Sequence, residues 1–139
     1  MVHVRPSIGR TCIFWAPLLH LESGALTFPT KRMTVETIDP RDLSRALSQG
    51  DSVVVIDVRE PVEWNIGRIP SARLMPLGTI PGAAIELDRD AQIVVYCHHG
   101  SRSDAAAHAL LRAGFTNVRN LVGGIDRWSR EVDPSVPRY

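Results

Sequence analysis

From residue 34 onward the apolar positions form short continuous runs alternating with stretches of helical spacing. The runs read as strands over residues 34–38, 53–56, 72–77, 93–96 and 117–121. Val53-Val54-Val55-Ile56 has no polar alternation, the pattern of a strand covered on both faces. Residues 72–77 contain Pro76, which a ladder tolerates at an edge, so this segment is expected to be an edge strand. Between the runs, Asp39 is placed to cap a helix with Pro40 at its first position and Asp42 in its first turn. Leu43, Ala46 and Leu47 share one face of that helix, and Gly50 closes it. A short helix opens over residues 60–64 and ends at Gly67, and another is expected over residues 81–87. Residues 103–112 read as a longer helix stopped by Gly114, with Ser103 or Asp104 as its cap. In it Ala105, His108, Ala109 and Arg112 repeat at helical spacing, with Leu110 and Leu111 adding bulk. Gly123-Gly124 predicts a tight turn before a terminal helix over residues 125–130. Trp64, Trp128 and the Ile69-Pro70 pair read as packing. Strands alternating with helices predict an α/β fold: a small parallel sheet of about five strands with helices on both faces.

Residues 1–32 break this pattern. They are basic (Arg5, Arg10, Lys31 and Arg32 against Glu22 alone), and an apolar run over residues 12–21 is interrupted by Pro17. That run is shorter than the roughly 20 residues a membrane-spanning helix needs. The segment reads as a leader outside the domain, either disordered or upstream of the start at Met33; a signal or transit peptide is the alternative. The remaining 33–139 form one domain. A net charge of +1 argues against nucleic acid or an acidic membrane as partner, while leaving small anions open. Two cysteines, Cys12 and Cys97, are too few for a disulfide scaffold, and a reducing cytoplasm is the simpler setting. Cys12 is expected to be a free thiol rather than a partner for Cys97.

The candidate chemistry lies where the strand over 93–96 meets the helix over 103–112. Cys97-His98-His99-Gly100-Ser101-Arg102-Ser103 joins them without a proline. Such a turn can aim successive backbone N–H groups into one concavity, to which the helix adds its positive end. A thiolate there is stabilised by the amides, the dipole and a guanidinium, so Cys97 is the candidate nucleophile. Arg102 is positioned to hold an anionic substrate bidentately, and Ser101 and Ser103 add hydroxyl donors. His98 and His99 are adjacent in a tight loop and cannot easily share one ion, so no metal is expected; they are read as facing outward at the entrance. Asp57, Arg59 and Gly123/Gly124 follow strand ends and are expected at the same cleft.

CHHGSRS, preceded by DVREPVEWNIGRIPSA and followed by LVGGIDRW, resembles the single-domain rhodaneses, which are thiosulfate sulfurtransferases. The resemblance runs from about residue 38 onward in three ordered blocks. It implies a rhodanese-like fold and transfer of sulfane sulfur through a Cys97 persulfide, without a cofactor. The implied partners are a small anionic sulfur donor such as thiosulfate and a cyanide or thiol acceptor, with a sulfur-carrier protein as an alternative. It also implies that Asp57 and Arg59 brace the site, through Glu63 or loop amides. Two other functions share these features. A sulfur relay or binding module would use the same domain without independent turnover. The phosphatases of the same fold use Cys-x5-Arg, whereas Cys97 to Arg102 is Cys-x4-Arg, a tighter cup that favours sulfur over phosphate.

Overall fold

The computed structural model describes residues 33–139; the expectations for residues 1–32, Cys12 included, lie outside the described residues. Five parallel strands form one sheet in the order β1-β5-β4-β2-β3: β1 Glu36–Ile38, β2 Val53–Asp57, β3 Arg73–Leu74, β4 Gln92–Tyr96 and β5 Val118–Leu121. The helices are α1 Pro40–Ser48, α2 Pro61–Ile66, α3 Ile80–Ala83, α4 Ser101–Arg112 and α5 Gly124–Glu131. The predicted α/β class and strand count hold. No helix among the described residues is long and apolar enough to cross a membrane.

The side-chain alternation of β4 divides the core into two layers. Ile93 and Val95, with Cys97 beyond them, pack with Ile80, Ala106, Ala107 and Leu110 on the side of α3 and α4. Val94 and Tyr96 face the other way, toward Leu43 of α1 and Ile125 and Trp128 of α5. A central parallel strand must be apolar on both faces, which is why its sequence shows no alternation. α1 begins as expected: Asp39 accepts a hydrogen bond from the Arg41 amide at 2.9 Å, and Pro40 stands at the first turn.

Three predicted elements differ. The edge strand shrinks from 72–77 to Arg73–Leu74, because Pro76 has no amide to give and the chain turns into a 3-10 segment, Leu77–Thr79. The helix expected over 81–87 is α3, continued as a 3-10 turn over Ala84–Glu86. α4 starts two residues early, at Ser101, with Gly100 as its N-cap, so neither Ser103 nor Asp104 caps it. Its buried face is Ser103, Ala106, Ala107 and Leu110; of the four residues at helical spacing, Ala105 and Arg112 are exposed and His108 and Ala109 half-buried. Alanines at 105, 106, 107 and 109 supply no phase of their own, so packing and the Ser103 hydrogen bonds decide the rotation.

The chain leaves β2 toward β3 at one edge, and leaves β4 toward β5 on the opposite side. Connections that part in opposite directions open a crevice beyond the carboxyl ends of the two strands. Asp57 ends β2 and Cys97 directly follows β4, so both stand at this crevice.

Candidate active site

The loop after β4 turns sharply at Gly100, whose φ of 125° a residue with a side chain adopts only under strain. That conformation points the Gly100 amide back at Cys97, where it donates to Sγ at 3.0 Å. The first intrahelical bond of α4 runs from the Asp104 amide to the Gly100 carbonyl at 3.0 Å. The amides of Ser101, Arg102 and Ser103 therefore have no acceptor within the helix, and they form its positive end. Cys97 is only 1 % exposed, with the apolar core of the α4 side beneath it. The sulfur thus lies at the floor of the loop, between hydrocarbon and an amide.

Ser103 extends this floor. Its Oγ is 2.6 Å from Asn120 Oδ1, 3.0 Å from the Gly100 carbonyl and 3.3 Å from Cys97 Sγ. A hydroxyl carries one hydrogen, so the proton can serve Asn120 or turn to a charged sulfur. Asn120 Nδ2 donates to the same Gly100 carbonyl at 3.1 Å, tying β5 to the loop. On the far side, the Ile125 and Asp126 amides at the start of α5 donate to the Cys97 and His98 carbonyls at 2.9 and 3.2 Å. A Cβ on Gly124 would fall onto those two carbonyl groups, so the tight turn at 123–124 is what lets α5 approach. The loop backbone is held from both faces.

The rim is built by α2 and the C-terminal residues. A capping box joins Glu60 and Glu63 at the start of α2. Both Glu63 oxygens face Arg102, in a bidentate pair at 2.7 and 2.8 Å. The Tyr139 hydroxyl donates to Glu63 Oε1 at 2.9 Å and accepts from Arg59 Nη1 at 2.8 Å. Arg59 is fully buried. It pairs with Asp57 at 2.6 Å and donates to the carbonyls of Glu63 and Gly67 at the end of α2, at 3.3 and 2.6 Å. Asp57, Arg59, Tyr139, Glu63 and Arg102 thus form one chain of hydrogen bonds from the end of β2 to the start of α4. Asp57 and Arg59, expected at this cleft, meet each other, and Arg59 also meets the Glu63 carbonyl.

Electrostatics follow from these contacts. The Arg102 guanidinium holds the Glu63 carboxyl down to about 2, against the opposing effect of burial, with help from the Glu60 amide and Tyr139. Glu63 in turn raises Arg102 above its ordinary range. Burial raises the Tyr139 phenol. His98 is shifted down, first by burial and then by its neighbour His99.

The expectation that both loop histidines face outward holds for His99 and fails for His98. His99 is exposed, whereas His98 is half-buried and stacks on the Tyr139 ring at 4.2 Å and 11°. Its Nε2 is buried without a hydrogen-bond partner. Arg102 is partly exposed, and each of its terminal nitrogens donates one hydrogen bond to Glu63. Among the described residues, no group of three or more His, Cys, Asp or Glu is gathered to hold a metal ion. Two participants were absent from the sequence reading. Asn120 carries a signal, since a polar residue within a buried strand needs a hydrogen-bonding reason. Tyr139 carries none, because nothing local in the chain connects it to residues 59, 63 and 98.

Comparison with known proteins decides the family: the profile described as Rhodanese-like domain matches residues 39–131. The chain belongs to the rhodanese-like family. A probable adenylyltransferase/sulfurtransferase MoeZ of Mycobacterium tuberculosis is 39% identical over 105 residues, covering 74% of this chain and 27% of the relative. A sulfurtransferase of Allochromatium vinosum is 38% identical over 102 residues, covering 73% of this chain and 95% of the relative. The crystal structure of a rhodanese-related protein from Thermoplasma volcanium superposes with a TM-score of 0.64 at 33% identity, covering 70% of this chain and 93% of that one. The rhodanese-like chain therefore spans about a quarter of the length of MoeZ and matches the Allochromatium protein nearly end to end. The Allochromatium relative is named a sulfurtransferase, and MoeZ a probable one.

Proposed function

We propose that this rhodanese-like domain is a sulfurtransferase that carries a sulfane sulfur as a persulfide on Cys97. The observation that supports it most directly is the Gly100 amide on Cys97 Sγ at 3.0 Å, set beside the open amides of the first turn of α4. With thiosulfate as donor, the Cys97 thiolate attacks the outer sulfur. A bond forms between Sγ and that sulfur, the bond to the sulfonate sulfur breaks, and sulfite leaves with the electron pair. The Gly100 amide and the positive end of α4 support the anionic terminal sulfur now on Cys97. A thiolate or cyanide then attacks it and regenerates the Cys97 thiolate, completing a two-step exchange. Neither step calls for a metal or an organic cofactor.

In this reading Gly100, Ser101 and Ser103 supply donors to the sulfur, His98 and His99 shape the entrance, and Asp57, Arg59 and Glu63 hold the rim. A reducing compartment such as the cytoplasm keeps Cys97 available between turnovers. A relay to a sulfur-carrier partner uses the same persulfide. It is the second reading because MoeZ joins sulfurtransferase to adenylyltransferase in its name, and this chain matches about a quarter of it. The four-residue spacing from Cys97 to Arg102 disfavours phosphate chemistry.

Mass spectrometry after incubation with a sulfur donor tests the proposal. A gain of one sulfur on Cys97, discharged by cyanide and lost in Cys97→Ser, is expected, together with negligible hydrolysis of p-nitrophenyl phosphate. No sulfur gain, or phosphatase activity exceeding sulfur transfer, would overturn it.

A further inference from the structure

Arg102 is the cation coupled to Cys97, and it reaches an anionic donor only beside a carboxylate. Each of its two terminal nitrogens donates one hydrogen bond to Glu63. The Glu63 carboxylate receives four donors in all: Arg102 twice, the Glu60 amide at 3.0 Å and the Tyr139 hydroxyl at 2.9 Å. Tyr139 is itself anchored, by the buried Arg59 guanidinium and by its stack on His98. The carboxylate is therefore fixed, and the charges of Glu63 and Arg102 cancel at the mouth of the site. A dianion approaching Arg102 must either break this set of bonds or lie beside a carboxylate that repels it.

A donor with less charge meets no such obstacle. Apolar surface is exposed on the same short helix as Glu63, at Val62 (72%) and Ile66 (41%), and on Tyr139 (43%). We propose that Glu63, held in place by Tyr139, is a specificity-determining residue that selects an organic persulfide over a dianionic sulfur donor. The inference rests on the sulfurtransferase reading and names its preferred donor class. The step balances without a co-reactant. The Cys97 thiolate attacks the terminal sulfur of R–S–SH, the Sγ–S bond forms, the donor S–S bond breaks, and R–S⁻ leaves with the electron pair. The proton remains on the transferred sulfur. The leaving group carries one charge, where thiosulfate would release a dianion against Glu63.

Steady-state kinetics of the full chain with the persulfide of 2-mercaptoethanol, which bears no carboxylate, and with thiosulfate test this. For the unaltered protein, kcat/KM with the persulfide should exceed that with thiosulfate by about tenfold or more. In Glu63→Gln the ratio of kcat/KM for thiosulfate to that for the persulfide should rise about tenfold. Tyr139→Phe keeps the stack and loses the hydroxyl, and should shift that ratio the same way by about threefold. If Glu63→Gln does not fold, Tyr139→Phe and the donor ratio of the unaltered protein decide. Equal or better use of thiosulfate by the unaltered protein would overturn the inference, as would parallel changes for both donors in the variants. Failure of both donors to load Cys97 would instead strike the sulfurtransferase reading itself.

Discussion

Two arginine–carboxylate pairs stand at the carboxyl ends of neighbouring strands, and they are different objects. Asp57–Arg59 has both side chains at 0% exposure, whereas in Glu63–Arg102 the arginine is 36% and the glutamate 18% exposed. The buried pair also satisfies carbonyls at the end of α2, so its removal leaves several buried groups without partners. The rim pair faces water, and either partner can be rehydrated. Burial rather than bond geometry separates a pair whose loss strands a charge from one whose loss leaves the partner hydrated.

The largest effect should come from breaking the buried pair. Arg59→Met strands Asp57 in the core and should lower stability by about 3–5 kcal/mol, read as a reduced urea midpoint with an unchanged slope. A loss below 1 kcal/mol would show that water reaches Asp57 and that the two pairs are alike. Arg102→Met at the rim should cost no more than about 1 kcal/mol in the same assay, since its partner stays hydrated. A cost equal to that of Arg59→Met would erase the distinction.

Acid sharpens the comparison with the least perturbation. Glu63 ordinarily titrates near 4.5 and is held at about 2 in the folded chain. A depressed carboxylate stabilises the fold above its unfolded value, and that contribution is lost as pH falls through the folded value. Its share of stability should therefore be present at pH 5 and decline between about 4.5 and 2, amounting to about 1 kcal/mol or less at this partly exposed position. Urea midpoints of the unaltered chain and Glu63→Gln should differ at pH 5 and converge toward pH 2. Parallel curves across that range would mean that Glu63 adds nothing to the fold.

Much of this architecture was legible along the chain. The uninterrupted runs of β2 and β4 announce central parallel strands, Asp39-Pro40 announces α1, and the cysteine loop sits where strand periodicity gives way to helix. Where local signals were ambiguous, the reading slipped. Four alanines left the face of α4 undetermined, and the glycine before Ser101 started the helix earlier than its hydroxyl residues suggested. Of the site, the cysteine loop and the Asp57–Arg59 pair were legible, because each is local in the chain. The site was not legible in Asn120, in the stacking of His98 on Tyr139, or in the partner of Arg102.

What the sequence determined alone is what depends on neighbours within a few positions: backbone preferences, caps, apolar period, and the identity of the loop that carries the sulfur. What only the tertiary structure decided is which distant side chains meet. Glu63 and Arg102 are 39 positions apart, and Glu63 and Tyr139 are 76 apart. Their encounter depends on strand order and on the approach of α2 to α4. A guanidinium near a thiol reads the same on paper whether it is open or already held by a carboxylate. Packing makes that choice, because ion pairing depends on distance in space and on access to water, neither of which is written locally in the chain.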